Sequence, residues 1–248
     1  MVKKARLQAL RDSPIDCACV IHGTAYDWIY VDKLYSMLSR NFSQPLRLHV
    51  WTETSRPVPE PYIKHSLTDW PGIAGPRKSW WYKLQMFDPA HFQGRLLYFD
   101  LDVVIMSNLD WMLELDTQYF WAIRDFRHHF RGAWWSVNSS IMIWDTGRLA
   151  YVWRDFCTHN IHAITRQHAG DQDYLNRVID DKLRRYLDGS KVRSWRWEIK
   201  DGGMDFKRRT YRRPDAGSIV PPDTAVMVFH GQPKPHEIQD PVISANWR

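Results

Sequence analysis

The chain has 248 residues, of which 44% are hydrophobic and 25% charged, with a formal net charge of +6; this is an ordinary globular balance, enough for one large domain or two small ones. No apolar run approaches the ~18 residues of a membrane-spanning helix, and the basic N-terminal stretch MVKKARLQALRDSP lacks the apolar centre of a signal peptide. The cysteines are Cys17, Cys19 and Cys157, without a CxxC, which argues against a disulfide framework or zinc ribbon and fits a reducing, cytoplasmic setting.

In chain order, CACVIHG (17–23) reads as a strand running into a glycine turn, with Cys17 and Cys19 on one buried face. DWIYVDKLYSMLSR (27–40) spaces Ile29, Leu34 and Leu38 near the helical period. PLRLHVWTE (45–53) alternates, with Leu46, Leu48 and Val50 on one face of a second strand. A loop carrying Pro57, Pro59 and Pro61 follows, then KSWWYKLQMF (78–87), a helix stopping before Pro89. RLLYFDLD (95–102) is a near-continuous apolar strand of the kind covered on both faces in a parallel sheet. YFWAIRD (119–125) and NSSIMIWD (138–145) are further strands, and 147–164 and 171–183 read as helices. Residues 185–224 are irregular and basic, and TAVMVFHG (224–231) is the last strand. Strands alternating with helices predict an α/β fold with a mainly parallel, doubly wound sheet flanked by helices. No linker divides the chain, so 1–248 reads as one domain, its core at about 15–238.

Charge is unevenly placed. Residues 182–213 hold twelve Lys or Arg against four Asp or Glu. Such a stretch suits a phosphate-rich partner: nucleic acid, an anionic membrane surface or a phosphorylated acceptor. It also reads as a solvated loop, and KRRTYRR (207–213), with one aromatic among five basic residues, is a weak nucleic-acid signal. Fourteen tryptophans exceed what a core needs; Trp134, Trp135, Trp195 and Trp197 are candidate stacking surfaces, with plain packing as the alternative.

Asp100 and Asp102 interrupt the apolar run LLYFDLDVVI. A buried charge costs several kcal/mol unless paired or metal-bound. Ligands of such sheets bind beyond the carboxyl ends of strands, and residues two apart in a strand share a face. Two carboxylates aimed at one spot suit a hard divalent cation completing its shell with substrate phosphates. The alternative is an Asp pair capping the strand end. The strand VMVFHG ends in His230, a ligand better suited to Mn²⁺ than to Mg²⁺. Gly231 lets backbone approach a phosphate and Lys234 offers it a point charge.

YFDLDVVI, NSSIMIWDTG, GDQDYLN and HGQPKPHE, in this order, resemble the GT-A glycosyltransferases, in particular the glycogenin-like and bacterial galactosyltransferase-like retaining group, family 8 and close relatives. The resemblance spans residues 17–238. It implies a GT-A, Rossmann-like domain that binds a UDP-sugar through Mn²⁺ (or Mg²⁺). Asp100 and Asp102 match the D-x-D, the first also near the ribose, and His230 matches the third metal ligand. Gly231 and Lys234 match the diphosphate clamp, and Thr24 and Tyr26, in HGTAY, match the nucleotide pocket. Lys83 matches a basic residue reaching the donor, and Asn138 an Asn that bonds the donor sugar. Asp171 and Gln172 match an Asp-Gln pair beside the anomeric carbon. Retention by front-face attack, with the leaving phosphate taking the acceptor's proton, needs no protein base.

The chain departs from the family pattern at His236, where a Trp is usual, and at the Ser-Ser after Asn138. A long basic-aromatic C-terminal tail is absent from the sequence given, and the 182–213 stretch would replace it in peripheral contact with the inner membrane face. His128, His129 and Arg131, in FRHHFRG, belong to a loop over the site, as acceptor contacts or as a solvated lid. The acceptor class stays open between glycan, lipid-linked and protein acceptors. Two other readings are a nucleotidyltransferase of sugar phosphates and a non-catalytic nucleotide-sugar or nucleic-acid binding module. The first expects a Gly-rich, basic phosphate loop after the first strand, which HGTAYDW lacks; the second expects affinity for nucleic acid that falls steeply with salt.

Overall fold

A computed structural model describes residues 13–68, 79–132 and 135–248. The N-terminal stretch 1–12, Lys78 and Trp134 lie outside the described residues. Strand β1 (Ile15–Val20) leads to helix α1 (Ile29–Asn41), then to β2 (Leu46–Glu53) and β3 (Ile63–Leu67). A 3₁₀ helix, Ser79–Phe87, precedes β4 (Arg95–Phe99) and β5 (Val103–Ile105). β6 (Phe120–Arg124), a 3₁₀ turn at Phe126–His129 and β7 (Val137–Asp145) follow. Helices α2 (Ala150–Thr158), α3 (Ile161–Gln167) and α4 (Asp171–Val178) come next. The chain continues through β8 (Arg184–Tyr186), β9 (Val192–Ser194), a hairpin of β10 (Met204–Asp205) and β11 (Thr210–Tyr211), β12 (Val226–Val228) and α5 (Pro241–Asn246).

The main sheet has seven strands in the order β3-β2-β1-β4-β7-β6-β8. It is parallel except where β7 runs antiparallel to β4 and β6. Its apolar strands feed two cores on opposite faces. Leu97, Phe99, Ile141 and Ile143 join one, and Leu96, Tyr98, Met142 and Trp144 join the other. This is the double covering that the unbroken apolar runs of β4 and β7 predict. α1 covers the first face with Tyr30, Val31, Leu34, Met37 and Leu38, at spacings of three and four. Leu34 is fully buried, worth ~1.5–3 kcal/mol by area. The Ser79–Phe87 helix covers the second face.

A second sheet, β5-β12-β9, stands beside the first. Its existence corrects the reading of RLLYFDLD (95–102) as one strand. β4 ends at Phe99, residues 100–102 turn, and Val103 then pairs with Val228 in the other sheet. The two aspartates therefore do not share a strand face; they sit on the turn that carries the chain between sheets. Other boundaries also move. The helix expected over 147–164 breaks at His159–Asn160, where the Asn160 side chain caps α3 by accepting from Ala163 N. Of the helix expected over 78–87, Ser79–Phe87 is 3₁₀ rather than α-helical, and 171–183 ends its helix at Val178. β3 and α5 were not foreseen: β3 is an edge strand with mostly polar residues, and α5 is six residues long, capped by Asp240. The 185–224 stretch holds β9 and a hairpin. Among the described residues, no helix is long and apolar enough to cross a membrane.

Candidate active site

β1 connects outward to β2 and β3, whereas β4 pairs on its other side. That reversal opens a crevice at the carboxyl ends of β1 and β4, the usual ligand position of an open α/β sheet. Asp100 follows β4 there. Its Oδ1 lies 2.7 Å from Lys83 Nζ and accepts from the Tyr98 hydroxyl at 2.5 Å. Lys83, only 8% exposed, also donates to Ser139 Oγ at 3.2 Å. Ser139 Oγ in turn donates to Asp171 Oδ2 at 2.6 Å. One chain of polar contacts thus links the Ser79–Phe87 helix, the turn after β4, β7 and the start of α4.

Burial alone would lower the Lys83 pKa, but the Asp100 and Asp171 carboxylates outweigh it and hold the ammonium above its usual range. Asp102 belongs to a parallel arrangement. Its Oδ2 accepts from the Tyr26 hydroxyl at 2.9 Å and from Lys234 Nζ at 2.5 Å. Burial, then the Asp100 charge, raises its pKa despite Lys234. Burial likewise raises the Asp171 pKa, against the pull of Lys83. Three carboxylates face two ammonium groups, so the crevice retains negative charge that a further cation would neutralise.

Lys234 reaches Asp102 because β12 ends in a tight turn. Gly231 has φ +78°, in the left-handed region that favours glycine. His230 sits just before it. Its Nε2 is 2.6 Å from Ser194 Oγ, and that oxygen also accepts from Trp197 N at 3.1 Å. Phe126 stacks on the imidazole at 5.4 Å and Trp197 meets it edge-on at 4.6 Å. Burial, then the nearby Arg196, lowers its pKa to about 4, so the ring is neutral near pH 7.

Two adjoining cavities share Lys83, Asp100, Asp102 and Gly231. The smaller, about 390 Å³, adds Asn138, Asp171, Gln172 and His230. The larger, about 680 Å³, adds Tyr26 and Lys234. Ten of the eleven residues singled out in the sequence therefore meet at one place. Thr24 does not: it is exposed and outside both linings, where Ala25 takes its place. The HGTAY turn is held from β2 instead. Glu53 Oε1 accepts from Gly23 N, and Arg56 bridges Glu53 Oε2 at 2.9 Å and Gly23 O at 2.6 Å.

The donor chemistry suits a divalent cation: two carboxylates and a neutral imidazole lining one cavity. Asp100 Oδ2, Asp102 Oδ1 and His230 Nδ1 take no hydrogen bond from the described residues. The ligands are not pre-gathered, however; among the described residues no three His, Cys, Asp or Glu side chains form a metal-binding group. Sequence reasoning missed Ser139, Ser194, Trp80 and Arg127. Ser139 belongs to the Ser-Ser that departs from the expected pattern, and it joins Lys83 to Asp171. Arg127 lines the smaller cavity and is clamped by Asp125 at 3.0 Å, from the turn formed by FRHHFRG. His236 bonds the Tyr30 hydroxyl, and Trp247, from the end of α5, packs 6.5 Å behind it. An indole thus stands near the position where the motif lacks one.

No protein-family model matches the chain, and no curated protein matches it. Solved structures do. An active-site mutant of LgtC aligns over 92% of this chain and 91% of its own, with TM-score 0.62 and 13% identity. The galactosyltransferase LgtC in complex with donor and acceptor sugar analogs gives TM-score 0.57 over 94% and 96%, at 12% identity. The glycosyltransferase GlyE of Streptococcus pneumoniae TIGR4 gives 0.64 at 15% identity, over 94% of this chain but only 60% of its own. At such identities the likeness shows architecture: the chain has the GT-A glycosyltransferase fold.

Proposed function

We propose that the protein is a glycosyltransferase that moves a sugar from a UDP-sugar to an acceptor hydroxyl with retention, assisted by Mn²⁺ or Mg²⁺. The carrying observation is the convergence of Asp100, Asp102, Lys83 and Lys234 with Asp171 and Gln172 around one crevice. Asp100, Asp102 and His230 would hold the cation, which when bound neutralises charge on the leaving diphosphate. Lys234 offers the same phosphates a point charge from the opposite rim, and the open backbone at Gly231 lets them approach. Tyr26 borders the base and Asp100 the ribose.

Lys83 and Asn138 orient the donor sugar. Asn138 Oδ1 is held by Ser140 N at 3.0 Å, which leaves its amide group to donate. As the bond from the anomeric carbon to the phosphate oxygen breaks, its electron pair leaves with UDP. Asp171 and Gln172 face the cation-like carbon that results. The acceptor oxygen bonds to that carbon from the same face, and its proton passes to the departing phosphate oxygen. No protein base is required. The free thiols of Cys17, Cys19 and Cys157 fit a reducing, cytoplasmic setting.

Slow donor hydrolysis tests this reading without a known acceptor. The protein is incubated with UDP-glucose, UDP-galactose, UDP-N-acetylglucosamine and UDP-xylose, and UDP release and the anomer first formed are followed. Release from one donor that stops with EDTA, with the α-anomer appearing first, supports it. Metal-insensitive release, or first appearance of the β-anomer, removes the metal or the retention respectively.

A further inference from the structure

The basic stretch forms a built feature at the rim of the crevice. β10 and β11 pair as a short hairpin, Met204 opposite Tyr211. Asp205 Oδ1 accepts from Lys207 N at 3.0 Å and Arg208 N at 3.1 Å, which fixes the turn. Phe206 pins the hairpin to the site. It stacks on His129 at 5.0 Å, meets Phe130 edge-on at 4.6 Å and contacts Trp197 at 6.2 Å. Trp197 is the ring that flanks His230. The hairpin thus stands one aromatic ring from the candidate metal ligand.

Its charge is unbalanced. Lys207, Arg208, Arg209, Arg212 and Arg213 are all exposed. Three nearby carboxylates are engaged by backbone: Asp205 by its turn, Asp201 by Gly217 N and Glu198 by Ser194 N; Asp215, two residues past Arg213, is exposed. Of these five, only Arg208 has an ion pair with another of the described residues, to Asp205 at 3.9 Å. Beside these cations Phe130 leaves 51% of its surface exposed. An aromatic face next to uncompensated cations suits a sugar ring carrying anionic groups. The donor is served by Lys83 and Lys234, deeper in the crevice, so these outer cations answer to another ligand.

We propose that the β10–β11 hairpin and Phe130 form the acceptor-docking surface, and that the acceptor is a glycan bearing carboxylate, phosphate or sulfate groups. This rests on the glycosyl-transfer reading. The alternative use, a foot on an anionic membrane, is an outcome of the test.

The probes are a hyaluronan hexasaccharide, a heparin hexasaccharide, maltohexaose, polyphosphate and vesicles of phosphatidylglycerol in phosphatidylcholine. Each is titrated into the full chain and two variants, with UDP titrated in parallel. One variant is Lys207→Ser with Arg208→Ser and Arg209→Asn; Asn tolerates the left-handed backbone at Arg209, φ +58°. The other is Phe130→Ala. The charged hexasaccharides are expected to bind and maltohexaose not. The triple variant weakens them about tenfold, as three exposed ion pairs predict. Phe130→Ala weakens them but not polyphosphate, and UDP affinity stays unchanged in both variants. Binding of the charged hexasaccharides that Phe130→Ala leaves unchanged, hairpin-dependent binding of vesicles alone, or equal binding of maltohexaose overturns the proposal while UDP binding leaves the transferase reading standing. Failure of the wild-type chain to bind UDP overturns both.

Discussion

Lys234 Nζ lies 2.5 Å from Asp102 Oδ2, and the Tyr26 hydroxyl donates to the same oxygen. The ammonium therefore stands on a carboxylate assigned to a divalent cation, and both cations compete for it. A bound metal would release Lys234 toward the diphosphate.

Lys234→Ala separates these roles. Binding of Mn²⁺ alone is expected to tighten, because the competing ammonium is gone. Binding of UDP in saturating Mn²⁺ is expected to weaken by about 10–100-fold, the worth of a charge-assisted contact. Calorimetry with the two ligands in turn reads both effects; a loss of both would reduce Lys234 to a structural partner of Asp102.

Ser194→Ala removes the oxygen at 2.6 Å from His230 Nε2. A partner at the far ring nitrogen orients a metal-binding histidine, and its loss typically costs about 10–100-fold in metal affinity. The Mn²⁺ concentration needed for half-maximal UDP binding should rise by that order, with folding stability down by about 1 kcal/mol from the lost cap to Trp197 N. An unchanged Mn²⁺ requirement would take His230 out of the ligand set.

Asp171→Asn keeps the shape of the side chain and removes a charge whose burial already raises its pKa. The donor KM should hardly move, while kcat falls about 100-fold, as expected for a group acting on developing charge. Because a costly buried charge disappears, thermal stability should hold or rise. Full activity in this variant would transfer the role to Gln172.

Glu53 sets an acid-side dependence for the HGTAY turn. Burial would raise its pKa, but Arg56, the Gly23 amide and Thr52 outweigh this and depress it to about 2. A depressed folded value means the contribution is fully present above the unfolded value of ~4.3 and is lost as pH falls from there through about 2. Glu53→Gln should cost about 1 kcal/mol at pH 7, allowing for partial exposure. Its melting temperature should also fall less steeply than the wild type's below pH 4.5. Parallel curves for the two proteins would remove Glu53 from the turn's support.

The sequence already carried the α/β alternation, the run of D-x-D, Asn138, Asp171-Gln172 and His230-Gly231-Lys234 motifs, and their order. What it hid depends on contacts distant in the chain. That Asp100 and Asp102 occupy a turn follows from Val103 pairing with Val228, 125 residues later. Thr24 lies two residues before Tyr26 in sequence, yet the turn fixed by Glu53 directs Ala25 and Tyr26 into the crevice and leaves Thr24 outside. Ser139 looked like a departure from a motif; only folding shows it between Lys83 and Asp171. β3 escaped because its pattern is polar and follows three prolines.

The most direct measurement is calorimetric titration of UDP into the protein with Mn²⁺ and again with EDTA, beside CDP and GDP, for the wild type and Asp102→Ala. The account predicts UDP-selective binding that disappears with EDTA and in the variant. Binding of UDP with unchanged affinity in EDTA would contradict the metal role of Asp100, Asp102 and His230, and binding of none of the three diphosphates would contradict the nucleotide-sugar site itself.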